Sequence, residues 1–323
     1  MKRLSISSMI PSVSRIALGC DHYGETIPQD VAFSLLDLYV ANGGNLLDTA
    51  RVYGQQFDEG PSTSELTIGA WLKTNDCRKK IVLATKGGHP HIGRMHESRL
   101  GWKSLSNDIN MSLEQLGTDH VDFWFLHRDD PQIGVDEIVD MLDEFITAGL
   151  TYHVGASNWT YERIADANDY AKQHGRRAFS VSEIQWSLAV CTPEQWGDDT
   201  LVCMDAASHK WYKKQQLPIL CFASQAKGLF SKIIAGKADT LSERAKQRFM
   251  TEENLRRVDR CARLSRELGV SPAAVCLAYI TSQKLPSIAI AGSSRIEQLQ
   301  DSLSMADLEL TPEQMAYLEG CEE

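Results

Sequence analysis

Four side chains of this sequence stand at matched places: Asp48, Tyr53, Lys86 and His127 each end, or closely follow, a short apolar run. An acid, a phenol, an amine and an imidazole brought together could move a proton. A phenol, with an ordinary pKa of about 10, is a weak acid near neutral pH unless a cation stabilises its phenolate. Lys86 would be that cation, Asp48 the carboxylate that keeps the ammonium charged and fixed, and His127 the group that orients a carbonyl oxygen. Taken singly, each residue has a plainer role, as a structural histidine, a loop-capping aspartate or a surface ion pair. Four of them at four strand ends favour chemistry.

For these residues to meet, the segments that carry them must converge. Eight apolar, β-branched runs are read as strands: 15–20, 44–48, 81–86, 121–127, 152–155, 181–185, 218–222 and 287–292. Helical patterns lie between them, such as 30–42, stopped by Gly43-Gly44, and 105–116, closed by Gly117. Sustained βα alternation predicts parallel strands with helical crossovers. Eight units in 323 residues suit an α/β fold, a (β/α)8 TIM barrel in a single domain spanning 1–323. An open doubly wound sheet is the alternative, but no Gly-x-Gly-x-x-Gly follows the first strand and no Gly-x-x-x-x-Gly-Lys-Ser/Thr occurs. Barrel chemistry gathers at the C-terminal strand ends. There the runs end in Asp48, Lys86, His127 and Gln185, or lead into Ser157-Asn158-Trp159. The long stretches 191–216 and 228–250 follow late strands, where barrel enzymes build their loops.

Composition narrows the partners. With 43% hydrophobic and 24% charged residues, the chain can build a large core. Its 33 basic against 43 acidic residues give a net charge of −10, and no basic stripe is present, so no nucleic-acid partner is expected. The apolar run 273–280 is far short of the roughly 20 residues that cross a bilayer, and the first residues hold no apolar segment of an export signal. A cytoplasmic protein with no membrane partner is the expectation. None of the eight cysteines forms a Cys-x-x-Cys pair, and they are read as reduced thiols. His89, His91 and His96 form a histidine-rich loop, yet only Glu97 is at hand to complete a donor set, so no metal is expected. His89 or Arg94 touching a polar substrate is the functional alternative to plain exposure. Gly155-Ala156-Ser157-Asn158-Trp159 is no nucleophile elbow, because Trp159 stands where the strained turn requires glycine.

The motifs in combination resemble those of the aldo-keto reductase superfamily: Asp48-Thr49-Ala50-x-x-Tyr53-Gly54, the strand-ending Lys86, Leu126-His127-x-x-Asp130, Gly155-x-Ser157-Asn158-Trp159 and Gly292-x-Ser294-Arg295-x-x-Gln298-Leu299. They follow the family's order over most of the chain. The resemblance implies a barrel that binds a nicotinamide dinucleotide across its C-terminal rim, usually NADPH (NADP+), with NADH as the alternative. The implied reaction is reduction of an aldehyde, ketone or sugar to an alcohol. Tyr53 is then the general acid, tuned by Lys86 and Asp48, and His127 is a second donor to the developing oxyanion. Such pre-placed donors are worth about 10²–10³ in rate each.

Further roles carry over on the same resemblance. Ser157, Asn158 and Gln185 match residues on the nicotinamide carboxamide, Phe222 matches the aromatic on its ring, and Gly19, Cys20 and Asp48 sit beside the cofactor. Ser224, Lys227 and Gly228 match the segment over the pyrophosphate. Gly292, Ser294 and Arg295 open a helix pattern onto a phosphate, which favours NADPH. Gln298, Asp301 and Ser302 fall at the adenosine end. Tyr53, His127, His89 and Trp159 face the substrate. The chain departs from many relatives at Ser224-Gln225, where they have Pro-Leu, and at Ser302, where they have an adenine-binding Asn. Two other readings stay open: a nicotinamide-binding redox sensor or regulatory subunit with slow turnover, and a barrel lyase forming a Schiff base on Lys86, which needs an amine of depressed pKa. Self-association into a homo-oligomer stays open as well.

Overall fold

A computed structural model describes residues 1–321 of the chain. Eight parallel strands close into a barrel: β1 (Ile16–Gly19), β2 (Leu46–Asp48), β3 (Val82–Gly87), β4 (Val121–Leu126), β5 (Thr151–Ser157), β6 (Val181–Gln185), β7 (Ile219–Phe222) and β8 (Ser287–Gly292). Each strand pairs with the next in the chain, and β8 pairs with β1. The eight strands expected from sequence are these eight, with no end displaced by more than two residues.

Alternation along each strand sorts side chains between two cores. One set points inward, with Ala17, Leu46, Val82 with Ala84, Phe123 with Phe125, Val181, Leu220, and Ile288 with Ile290 filling the barrel. Continuing each inward series to the C-terminal rim reaches Gly19, Asp48, Lys86, His127, Glu183, Phe222 and Gly292. The other set, including Leu47, Leu83, Trp124 and Ile184, packs outward into a larger core beneath the helices. The apolar interior therefore lifts the polar residues to one mouth.

The opposite end is closed by an antiparallel pair, Arg3–Leu4 with Val13–Ser14, which none of the expected strands covers. Its two-residue strands are too short for any periodicity to register. Ile10 and Val13 nevertheless enter the inner core. Next to this plug the ring of Tyr39 fills the space over Gly44, where a Cβ would lie 2.2 Å from the ring.

The first crossover helix is Gln29–Ala41, one residue earlier than expected, and the third is Trp102–Leu116. The latter begins three residues before its apolar pattern because the exposed turn around Trp102 is secured by stacking on Phe145, with ring centroids 5.2 Å apart. The stretch 191–216 contains helices Pro193–Trp196 and Ala206–Gln215, capped by Thr192 and Asp205. The stretch 228–250 contains Leu229–Ile234 and Glu243–Phe249. Both fold over the rim, and Arg248 lies 3.8 Å from the Trp196 ring, joining them. Among the described residues no helix is long and apolar enough to cross a membrane.

The strand that carries Lys86 is anchored on its outer side by a buried acid. Glu65, on the helix Thr63–Asn75, accepts a hydrogen bond from the Thr85 hydroxyl at 2.5 Å and has no exposed surface. Burial pushes its carboxyl from about 4.5 up to about 7. A raised folded-state value means that its stabilising contribution is complete below the unfolded value and is lost as pH rises through 7. Glu65→Gln, uncharged throughout, should gain stability relative to wild type by roughly 2–3 kcal/mol between about pH 5 and pH 8. Urea unfolding at a series of pH values measures this, and a difference that does not change with pH would contradict it.

Candidate active site

The inward series from β2, β3 and β6 converge on one ammonium. Lys86 has no exposed surface, and its Nζ donates to Asp48 Oδ1 at 2.6 Å and to the Thr49 carbonyl at 2.9 Å, with Glu183 Oε1 at 3.3 Å. Burial alone would lower the pKa of this amine, but Asp48 and then Glu183 outweigh it and hold it above the ordinary lysine value. A lysine held charged in this way is a poor Schiff-base nucleophile. Asp48 and Glu183 are themselves 3% and 2% exposed. Burial raises both carboxyls, with Glu183 reaching about 8.

Tyr53 projects from the loop after β2, and Lys86 Nζ is 5.2 Å from its ring centroid, so phenol and ammonium share one mouth. The expectation that the ammonium would make this phenol unusually acidic is corrected. Burial raises the Tyr53 pKa; Lys86 pulls it down, but Asp48 and Glu183 push it up again, and the net direction is upward. Tyr53 is held as a neutral phenol. His127 ends the β4 series, 6% exposed, with its ring 5.8 Å from that of Tyr53 and 4.7 Å from that of His89. Burial, followed by the neighbouring His89, Arg128 and Lys86, drives its pKa well below the ordinary value, so the imidazole is neutral. His127 Nδ1 is buried without a protein partner.

These groups open into a cavity of about 690 Å³ at the C-terminal mouth. Its lining contains most of the residues expected there: Gly19, Asp48, Tyr53, His89, His127, Ser157, Asn158, Phe222, Ser224, Lys227, Gly228, Gly292, Ser294, Gln298, Asp301 and Ser302. Burial lowers the His89 pKa to about 4, and its Nδ1 lies 2.5 Å from the Pro90 carbonyl. The other two histidines of that loop turn to different partners, His91 to Asp58 at 3.2 Å and His96 to Asp199 at 3.4 Å.

The two departures from the family pattern meet in the structure. Gln225 Nε2 donates to Ser302 Oγ at 2.9 Å, and Ser224 Oγ donates to the Ile290 carbonyl at 2.6 Å. The loop that carries them has Ala223, Ala226 and Lys227 at positive φ, a conformation that L side chains adopt at a cost.

Three expected contacts lie elsewhere, and a fourth, Arg295, stands at the cavity's edge. Gln185 is on the same side of β6 as Glu183, but at the strand's end it turns away and donates to Ser187 Oγ at 3.3 Å. The cavity residue of β6 is Glu183. Trp159 is wholly buried, with its indole N–H on the Arg128 carbonyl, its ring against Phe179 and Arg163 over it. It is a core residue rather than a substrate contact. Cys20 is buried beneath the rim, its thiol directed to the Leu18 carbonyl. Arg295, at the N-cap of helix Ile296–Leu303, is exposed beside the cavity lining rather than in it.

Among the lining residues that the sequence analysis does not assign are Glu183 and Arg128. Glu183 was legible, since it follows the inward Val181 by two. Arg128 was not, because its place depends on the distant Asp198, whose Oδ2 lies 3.3 Å from its Nη2.

A dinucleotide is extended, with a flat amide-bearing ring at one end and phosphates towards the other. The residues present fit such a molecule. Ser157 and Asn158 offer amide-binding groups in the same cavity as Phe222, Ser293 Oγ is buried without a partner, and Gly292 has nothing within 4 Å of its Cβ position, leaving the backbone open to close approach. The aldo/keto reductase family model matches residues 15–323. The aldo-keto reductase ausK of Aspergillus calidoustus is 28% identical over 95% of this chain and 78% of its own length. Norsolorinic acid reductase stcV of Emericella nidulans is 26% identical over 95% and 78%, and an aryl-alcohol dehydrogenase (NADP(+)) of Phanerodontia chrysosporium is 25% identical over 95% and 82%. A closed eight-strand barrel, a buried acid–lysine pair beside a tyrosine at its mouth and a family match across nearly the whole chain agree: the chain belongs to the aldo/keto reductase family of NAD(P)H-dependent oxidoreductases, whose substrates are small carbonyl compounds.

Proposed function

We propose that the protein reduces aromatic aldehydes or ketones with NADPH, using Tyr53 as general acid. The observation that carries this reading is the 2.6 Å pair of Lys86 and Asp48 placed against the Tyr53 ring in the same cavity as the neutral His127. Bound along the rim, the dinucleotide would supply the hydride. Ser157 and Asn158 would hold its amide, Phe222 its ring, and the loop around Lys227 with Ser294 and Arg295 its phosphates.

The chain's own residues handle the proton. Tyr53, protonated across the physiological range because burial raises its pKa, donates from its hydroxyl to the carbonyl oxygen as negative charge develops there. The phenolate left behind is stabilised by Lys86, whose charge is held in place by three oxygen partners. Neutral His127 gives a hydrogen bond to the same carbonyl oxygen without competing as an acid. Val52, His89, Trp196 and Leu201 form an apolar and aromatic wall suited to a flat ring. Two relatives, an aryl-alcohol dehydrogenase and a norsolorinic acid reductase by name, support an aromatic carbonyl over a sugar.

Tyr53→Phe should lower kcat for an aromatic aldehyde by about 10²–10⁴-fold while changing the Kd of NADPH less than about twofold. Steady-state rates paired with a fluorescence titration test this, and weakened cofactor binding with preserved turnover would contradict the assignment. Background-level turnover of every carbonyl by wild-type protein that binds NADPH would instead favour the sensor reading.

Arg295 stands free beside the phosphate end, forming no ion pair among the described residues. Arg295→Ala should therefore weaken NADPH about tenfold more than NADH, since only NADPH carries the 2′-phosphate. Equal losses for the two dinucleotides would remove Arg295 from that role.

A further inference from the structure

Two carboxyls crowd one ammonium in this site. Asp48 and Glu183 both lie against Lys86 Nζ, at 2.6 and 3.3 Å, and all three are nearly devoid of solvent. One positive charge compensates one negative charge. A second carboxylate at this range would add an uncompensated buried charge, and like-charged neighbours in such a setting retain a proton. Glu183 Oε2 is buried with no hydrogen-bond partner in the protein, so an ionised Glu183 would leave a charged oxygen bare. The titratable and charged groups around Glu183 come from every side: Asp48 and Tyr53 from β2 and its loop, Lys86 from β3, Arg128 after β4 and Cys221 from β7. Asp48 also faces Cys20 and Asp21 from the end of β1 and the loop after it, and Asp48 and Glu183 are the two acids that both lie against Lys86 Nζ.

Glu183 is also in register with Ser157, and its carbonyl accepts from the Asn158 amide at 2.9 Å. It therefore adjoins the two residues assigned above to the nicotinamide amide. The reduced ring of that cofactor is neutral and the oxidised ring is cationic. A cation placed in a dry cavity beside an acid pair favours the pair's ionised form, and by reciprocity ionisation favours the cation.

We propose that Asp48 and Glu183 hold one proton between them beside Lys86, and that binding of the oxidised nicotinamide expels this proton from Glu183 through the open mouth to water. Glu183 is then a positioning residue that ties the choice between oxidised and reduced cofactor to pH. No bond other than O–H breaks, and the electron pair stays on the carboxylate as the proton passes to solvent. The inference rests on the cofactor reading of the preceding subsection.

The test mixes the full-length protein with NADP+ or NADPH in weakly buffered solution containing a pH indicator. At pH 7, below the value of about 8 to which Glu183 is raised, NADP+ should release close to one proton per site, whereas NADPH should release far less. At pH 9.5 the release should vanish because Glu183 is already ionised. In parallel, fluorescence titration should show the Kd of NADP+ falling about thirtyfold relative to that of NADPH between pH 6.5 and pH 9. Glu183→Gln should abolish both effects, whereas Tyr53→Phe should retain them, which separates Glu183 from the phenol as the source. The two wild-type measurements decide the matter even if the glutamine variant fails to fold. Binding of both dinucleotides without proton release, or the same release from Glu183→Gln, would overturn the inference and leave the cofactor reading intact. Failure of wild-type protein to bind either dinucleotide would overturn both.

Discussion

A lysine with no exposed surface at the mouth of a closed barrel sets the terms for everything around it. Removing an ammonium from water costs several kcal/mol, recovered only through close oppositely charged and hydrogen-bonded partners. Here the Lys86 ammonium donates to Asp48 and to the Thr49 carbonyl and lies 3.3 Å from Glu183 Oε1. The ammonium cannot leave this place without stranding the acids. Its charge is therefore a permanent feature of the cavity, and the neutral states of Tyr53 and His127 are read against it.

That arrangement depends on the barrel being filled below it. Phe123, Phe125, Leu46, Val82 and their neighbours occupy the interior, and the N-terminal pair inserts Ile10 and Val13 beneath them. Water is kept from reaching the site from below, so the pair of acids and the ammonium interact in a medium of low polarisability. The outer face of β3 is fixed independently by Thr85 and Glu65, so strand position and site charge are secured from opposite sides of the same backbone. The mouth itself is shaped by irregular segments, joined where Arg248 covers Trp196 and where Arg128 meets Asp198.

The number of strands, their order and the rim positions of Asp48, Lys86 and His127 could be read from sequence. Alternation with a period of two is a local property, and the same arithmetic carried two residues beyond Val181 leads to Glu183. Gln185 was read as the cofactor contact because the resemblance was aligned on a polar strand end. What diverted it was Ser187, two residues on, which takes its amide. Trp159 was misread for a comparable reason: an aromatic residue after a strand can face the mouth or the helices, and Phe179 and Arg163, which keep it in the core, are distant in sequence.

The sequence by itself determined the barrel and the residue types at the rim, because these follow from alternation and spacing along the chain, and its motifs carried the resemblance to the family. Only the tertiary structure decided their protonation. Whether Tyr53 is acidic or neutral, whether Glu183 keeps a proton and whether His127 is charged depend on how much water is excluded and on which charges from other strands come within a few ångströms. Those quantities are sums over contacts between distant parts of the chain, and no local pattern of residues encodes them.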